Sequence, residues 1–297
     1  MRKLVLVAAC LVVECAACGG SSPAASSSPM AKTASPPTAA TEAFMTFQGI
    51  KRGYLLWRSA ELSLSKPVPL VIAMHGYTSY AGEMEYMSNF DQVATEDRFV
   101  VVYPEGLGRS WNAGWCCGHN SYDDVGFISA LIDKLAPEQN IDRTRILATG
   151  MSNGGMMSQR LGCDLAAKIT AVVSVSGSLL LDTCHPSRPI SVMEFHGDSD
   201  DLVPMNGGFT AGIGTFRPTI SVMQQWASID GCAAKPAAAD DATSTSYTWS
   251  PCEVGTKVQL EVIKGGAHSW FGPQDTTGEP DASRLAWRFL MDAPPLS

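Results

Sequence analysis

The chain of 297 residues carries 21 Lys+Arg against 29 Asp+Glu, a formal net charge of −8. No basic stripe offers itself to nucleic acid, and an acidic surface repels phosphate polymers. With no internal repeat and no Walker or dinucleotide glycine loop, solenoid and nucleotide-binding classes are excluded, and no cofactor is expected.

At the N-terminus, Arg2 and Lys3 precede the short apolar stretch Leu4–Val13, and Ala16-Ala17 lead into Cys18. A basic end, a brief apolar core and small residues before a cleavage point read as an export signal, too short to span a membrane. Cys18 resembles the acylated cysteine of a bacterial lipoprotein. Residues 1–18 are therefore expected to be the signal and a lipid anchor the membrane contact, with cleavage alone as the alternative. Residues 19–41 are almost all Ser, Pro, Ala and Thr, a composition that cannot bury enough surface to fold and predicts a disordered tether. Residues 42–297 have the length of a single α/β domain, expected to be a monomer.

Along that domain, Phe44–Trp57 predicts an antiparallel edge hairpin. Apolar runs at 68–74, 99–103, 145–149, 169–175, 189–195 and 258–263 predict strands, and the segments near 83–95, 122–135, 153–163, 217–229 and 281–291 predict helices. Continuous Val/Ile-rich strands alternating with helices imply a mostly parallel sheet covered on both faces. The fold class expected is α/β.

The chemistry concentrates at Gly150-Met151-Ser152-Asn153-Gly154, a G-x-S-x-G stretch between the strand at 145–149 and the following helix. That context suits a nucleophile elbow, in which a tight turn lifts a serine Oγ into the open beside unpaired helix N–H groups. The order expected on such a fold is Ser, then Asp or Glu, then His. Of the five histidines, only His268 lies late enough, after the strand at 258–263, to be the general base. The acid belongs to His196-Gly197-Asp198-Ser199-Asp200-Asp201, where three aspartates compete. Clustered oxygens also suit a hard cation, but no Gly-spaced ligand ladder or closing Glu follows, so no metal is expected.

These motifs, with His75-Gly76 after a strand, His-Gly-x-x-Asp-x-x-Val-Pro, Gly-Gly-x-His-Ser-Trp, Trp111–Gly118 and Asp123–Phe127, resemble the secreted polyhydroxybutyrate depolymerases and feruloyl esterases near carbohydrate esterase family 1. The resemblance implies an α/β-hydrolase and a triad of Ser152, Asp200 and His268, with Asp198 as the other candidate acid. It also implies an oxyanion hole from the backbone N–H groups of Asn153 and Tyr77, with His75 bracing the loop. Trp111, Trp115 and Trp270 are expected near the substrate cleft. The substrate implied is an ester, either a short hydroxybutyrate-type oligomer or a feruloyl or acetyl ester of plant polysaccharide. A catalytically silent surface-binding module is the competing class, disfavoured because all three triad residues are present.

Six cysteines, Cys116, Cys117, Cys163, Cys184, Cys232 and Cys252, lie beyond the signal region, and an even set in an exported chain predicts disulfides. Cys232 and Cys252 bracket a polar stretch and are expected to staple it as a loop. Cys116 and Cys117 are expected to pair separately with Cys163 and Cys184, with a vicinal bridge as the alternative.

Overall fold

The computed structural model of the chain describes residues 40–63, 65–118, 121–272 and 280–296. The signal, Cys18 and nearly all of the tether lie outside the described residues, which belong to one unit, Pro37–Ser297. In chain order the elements are strands β1 (Thr41–Phe47), β2 (Ile50–Trp57) and β3 (Val68–Met74), helices α1 (Ala81–Ser88) and α2 (Phe90–Asp97), β4 (Val100–Pro104), α3 (Asp124–Glu138), β5 (Ile141–Met151) and α4 (Asn153–Asp164). There follow β6 (Ala171–Val175), β7 (Ser191–Gly197), β8 (Gly208–Thr210), β9 (Gly214–Phe216), α5 (Thr219–Ile229), β10 (Ala237–Asp240), β11 (Ser244–Trp249), β12 (Val258–Ile263) and α6 (Ala282–Asp292).

Among the described residues ten strands form one sheet, in the order β1-β2-β4-β3-β5-β6-β7-β12-β11-β10. The six strands from β4 to β12 in that order run parallel. The hairpin β1–β2 joins the β4 edge antiparallel, its turn at Gln48-Gly49 taking positive φ at both residues as a two-residue hairpin with right-handed twist requires.

Alternation along the strands divides the core in two. Leu70, Ile72 and Met74 of β3 pack with Phe127 and Leu131 of α3, Met157 of α4 and Trp226 of α5. Val71 and Ala73 point the other way, to Met84 of α1, Phe90 of α2 and Leu290 of α6. Because both faces are buried, the strands read as unbroken apolar runs. Each fully buried Leu, Val or Phe contributes about 1.5–3 kcal/mol, so truncating Leu147 to Ala in the central strand would cost about 2–5 kcal/mol.

Three local features differ from the sequence reading. The helix expected over 83–95 is broken at Asn89, whose left-handed φ of 50° ends α1 while its N–H bonds Glu85 O; Asn tolerates this conformation better than most residues. The polar stretch 232–252 is not a bare loop. It holds β10 and β11, which extend the sheet because the Ser/Thr/Tyr/Trp alternation of β11 pairs with β12 and buries Trp249.

The third difference is a correction to the cysteine pairing. Cys232 does bond Cys252, but Cys163 bonds Cys184, with Cα atoms 5.2 Å apart, and Cys116 bonds its neighbour Cys117. The end of α4 and the segment before β7 meet at a separation that suits a disulfide. Cys116 and Cys117, carried elsewhere on the aromatic loop, are left to each other.

Candidate active site

Strands β4 and β5 lie on opposite sides of β3, so the chain reverses its direction of sheet growth there. In an open α/β sheet ligands bind outside the carboxyl ends of the strands at such a point. Ser152 follows β5, Gly76 follows β3, Asp200 follows β7 and His268 follows β12. Gly76, Ser152 and His268 line one cavity of about 840 Å³.

Ser152 sits at φ 53°, ψ −119°, a strained conformation for a residue with a side chain, between β5 and the first turn of α4. Its N–H is held by Val175 O at 2.8 Å. The turn is this tight only because Gly154 has no side chain: a Cβ there would stand 2.1 Å from Met74 O and 2.5 Å from His75 O. As the first residues of α4, Asn153 to Gly155 have no acceptor within the helix for their N–H groups.

The acid and base loops approach through a second glycine. A Cβ on Gly197 would lie 2.1 Å from Gly266 O, and its absence lets Ser199 N–H reach Gly266 O at 3.0 Å and Asp198 N–H reach Ile263 O at 3.0 Å. In this arrangement Asp200 Oδ2 meets His268 Nδ1 at 2.8 Å, across 68 residues of sequence. The other oxygen, Oδ1, accepts from the N–H groups of Leu202 and Val203 at 2.9 and 2.8 Å. Burial would raise the Asp200 carboxyl, but the hydrogen bond and charge of His268, the Val203 N–H and nearby His196 together hold it below the usual carboxylate value. Asp198 instead accepts from Gly265 N–H at 2.8 Å and from Ser199 Oγ at 3.0 Å, which holds the base loop without touching the imidazole.

His75 braces its loop. Its Nε2 accepts from Gly106 N–H at 3.0 Å, so Nδ1 carries the proton and donates to Gly76 O at 2.7 Å. Burial is the largest influence on this ring and lowers its pKa below the ordinary value, in keeping with the neutral tautomer.

Of the expected cleft residues, Trp115 and Tyr77 line the cavity and are about half exposed, each at 47%. Trp111 and Trp270 do not line it. Trp111 is fully buried, its Nε1 donating to His75 O at 2.9 Å. Trp270 turns away from His268 onto the face that carries α2 and α6, where Nε1 donates to Ser283 Oγ at 3.1 Å and the ring meets Phe90 edge-on. Both indole N–H groups find buried acceptors, and that, with the apolar area, decides their placement.

The sequence reading gave the side chain of Asn153 no part. It holds the aromatic loop by bonds to the Trp111 backbone and to Cys116 O, while the Cys116–Cys117 bridge forms part of the cavity wall. Nothing in the local sequence signals this, because the partner lies 42 residues away.

A family model described as phospholipase/carboxylesterase matches residues 122–212. The chain is 30% identical over 306 aligned positions to "Putative esterase NocK" of Nocardia uniformis subsp. tsuyamanensis, covering 90% of this chain and 89% of that one. It is 31% identical over 217 positions to feruloyl esterase B of Piromyces equi, covering 69% of this chain and only 40% of that protein. The chain thus spans well under half the length of that relative. Among solved structures, the acetyl xylan esterase from Aspergillus awamori superposes with a TM-score of 0.60 at 15% identity, over 82% of this chain and 94% of that one. That likeness shows the shared fold, and the full-length relationship to an esterase shows the family. The chain belongs to the esterases of the α/β-hydrolase superfamily.

Proposed function

We propose that the chain cleaves esters by acyl transfer, with Ser152 as nucleophile, His268 as general base and Asp200 as the carboxylate that orients the base. The observation that carries this reading is the 2.8 Å contact between His268 Nδ1 and Asp200 Oδ2 beside a cavity that Ser152 also lines. In the proposed reaction Ser152 Oγ attacks the ester carbonyl while His268 Nε2 takes its proton. The oxygen that becomes negative is received by the N–H groups of Asn153 and Tyr77. Collapse breaks the bond to the alcohol, which leaves with the proton from His268, and an acyl-Ser152 remains. Water, deprotonated by the same nitrogen, then releases the carboxylic acid and restores the serine. Asp200 accepts the Nδ1–H throughout and stabilises the imidazolium formed at each step.

For the substrate we propose feruloyl or acetyl esters of polysaccharide. Relatives named as feruloyl esterases and a bifunctional acetylxylan esterase/xylanase support this, as does the half-exposed Trp115 beside Tyr77 in the cavity wall. Short hydroxybutyrate-type oligomers are the second reading, which the apolar Met156, Leu202 and Ile213 in the same cavity favour. Export, with residues 1–18 as signal and Cys18 as lipid anchor, belongs to the proposal. It is supported by the N-terminal pattern and by three disulfides, which persist in oxidising compartments.

The experiment is a panel of methyl ferulate, acetylated xylan, hydroxybutyrate oligomers and 4-nitrophenyl acetate. Higher kcat/KM on methyl ferulate or acetylated xylan than on the oligomers supports the first reading, and the reverse order establishes the second. No turnover on any of the four would contradict both.

A further inference from the structure

Behind the acid loop lies a buried polar chain that acyl transfer as described does not use. Glu194 and His196 are two apart on β7, so their side chains leave the same face of the sheet, and both are fully buried. Its far end fixes the orientation of the Gln159 amide. An indole N–H can only donate, so Trp226 Nε1, at 3.0 Å, makes Gln159 Oε1 the acceptor and turns the Gln159 amide N–H towards Glu194 Oε2, also at 3.0 Å. Glu194 Oε1 accepts from Gly177 N–H at 2.9 Å. Both carboxylate oxygens therefore face N–H donors, as an ionised side chain does.

His196 completes the chain. Its Nδ1 faces Glu194 Oε1 at 3.0 Å and its Nε2 faces the backbone oxygen of Val203 at 2.7 Å. Both partners are acceptors, so each ring nitrogen must carry a hydrogen, and an imidazole with two N–H groups is a cation. The ring also stands 3.6 Å from Asp200 Oδ2, the oxygen that meets His268. The backbone of Val203 links the two a second time, its carbonyl bound by His196 and its N–H by Asp200 Oδ1.

We propose that His196 is a permanent imidazolium, held by Glu194, that acts as a positioning residue: it fixes the acid loop through Val203 and keeps Asp200 ionised where it meets His268. This rests on the triad reading of Ser152, Asp200 and His268. The titratable groups facing the ring are Glu194 on its own strand and Asp200 on the following loop, with His268 beyond Asp200. The other partners, Gln159, Gly177 and Val203, do not titrate. Burial acts to lower the pKa of His196, but the hydrogen bond and charge of Glu194, the Val203 carbonyl and the charge of Asp200 outweigh it and raise it. A buried cation is stable only where charges of opposite sign surround it, and here there are two.

The test has one arm on the unaltered protein. Side-chain nitrogen NMR of the 15N-labelled chain should show both His196 nitrogens protonated, with no titration from about pH 5 to about pH 9, a range that spans the ordinary histidine value. A single unprotonated His196 nitrogen within that range overturns the proposal. The second arm is His196→Gln, which can still donate to Val203 O but carries no charge. With the cation gone, Asp200 presents a less compensated negative charge to His268. The acid limb of the kcat/KM profile should then move up by roughly half a unit to one unit, and kcat should fall by about tenfold with KM little changed. A fall in kcat with the acid limb unmoved leaves only a structural role and also overturns the proposal. Ser152→Ala measured in parallel separates the two readings: retained hydrolysis defeats the triad, while the nitrogen signals still decide the charge on His196.

Discussion

The side chain of Asn153 and the backbone of Trp111 bind each other reciprocally: Asn153 Oδ1 accepts the Trp111 N–H at 2.7 Å, and Asn153 Nδ2 donates to Trp111 O at 3.1 Å. The residue that follows Ser152 thereby carries the loop that brings Trp115 and the Cys116–Cys117 bridge to the cavity. Two roles meet in one position, the proposed backbone N–H for the oxyanion and a side chain that fixes the opposing wall.

Asn153→Ala leaves the buried Trp111 N–H without its acceptor, while Trp111 O keeps the Ala113 N–H at 2.9 Å. The orphaned donor costs about 1–3 kcal/mol, so thermal unfolding should show a clear loss of stability. The backbone N–H survives, so kcat should fall less than in a triad variant, while KM for bulky esters should rise as the loop loosens. Unchanged stability and KM would show that the clamp contributes nothing.

The acid assignment separates two aspartates. Asp200→Asn removes the acceptor that fixes the His268 tautomer and should lower kcat by about 10⁴, the loss seen when a triad carboxylate becomes an amide. Asp198→Asn keeps an oxygen for Gly265 N–H and should change kcat by less than about tenfold. Steady-state kinetics on one short ester decide it, and the reverse ranking would move the acid to Asp198.

The disulfide pairing is open to direct mapping. Digestion of the unreduced protein should give linked peptides for Cys163–Cys184 and Cys232–Cys252, and Cys116–Cys117 as an internal loss of two hydrogens. Replacing Cys163 and Cys184 by Ala should cost about 3 kcal/mol for a bridge closing 21 residues. Peptides linking Cys116 or Cys117 to Cys163 or Cys184 would contradict this arrangement.

Asp91 makes stability fall as pH rises. Burial is the largest influence on its carboxyl and, with Glu85 beside it, raises the pKa to about 8 despite the hydrogen bond from Tyr103 at 2.7 Å. From the ordinary carboxylate range up to about pH 8 the folded chain holds this proton and the unfolded chain does not. Unfolding therefore releases a proton, and stability declines with rising pH across that window. Asp91→Asn stays neutral, so its melting temperature should gain on the wild type steadily between about pH 5 and about pH 8. Parallel profiles would show that Asp91 is already ionised in the folded chain.

The strand and helix frame was legible because each buried strand is an unbroken apolar run and the elbow carries its own turn signal in Gly150 and Gly154. The choice of His268 followed from chain order alone. Which aspartate it meets did not follow from the residues alone: the resemblance implied Asp200, and the folded loop buries Asp200 against His268 while leaving Asp198 exposed. Trp115 lines the cavity as expected, but Trp111 and Trp270 do not, for a similar reason: proximity in sequence to His268 says nothing about the side of the sheet to which Trp270 turns. The Glu194–His196 pair was hidden because its bonding partners, Gln159 and Trp226, come from two other elements.

The central claim is that Ser152 is the nucleophile, and covalent capture tests it most directly. A fluorophosphonate ester incubated with the protein should add one phosphonyl group, mapped by peptide mass spectrometry to Ser152. Ser152→Ala should take up none and should hydrolyse 4-nitrophenyl acetate more than about a thousandfold more slowly, with its melting temperature preserved. Labelling at another serine, or a Ser152→Ala variant with wild-type turnover, would contradict the account.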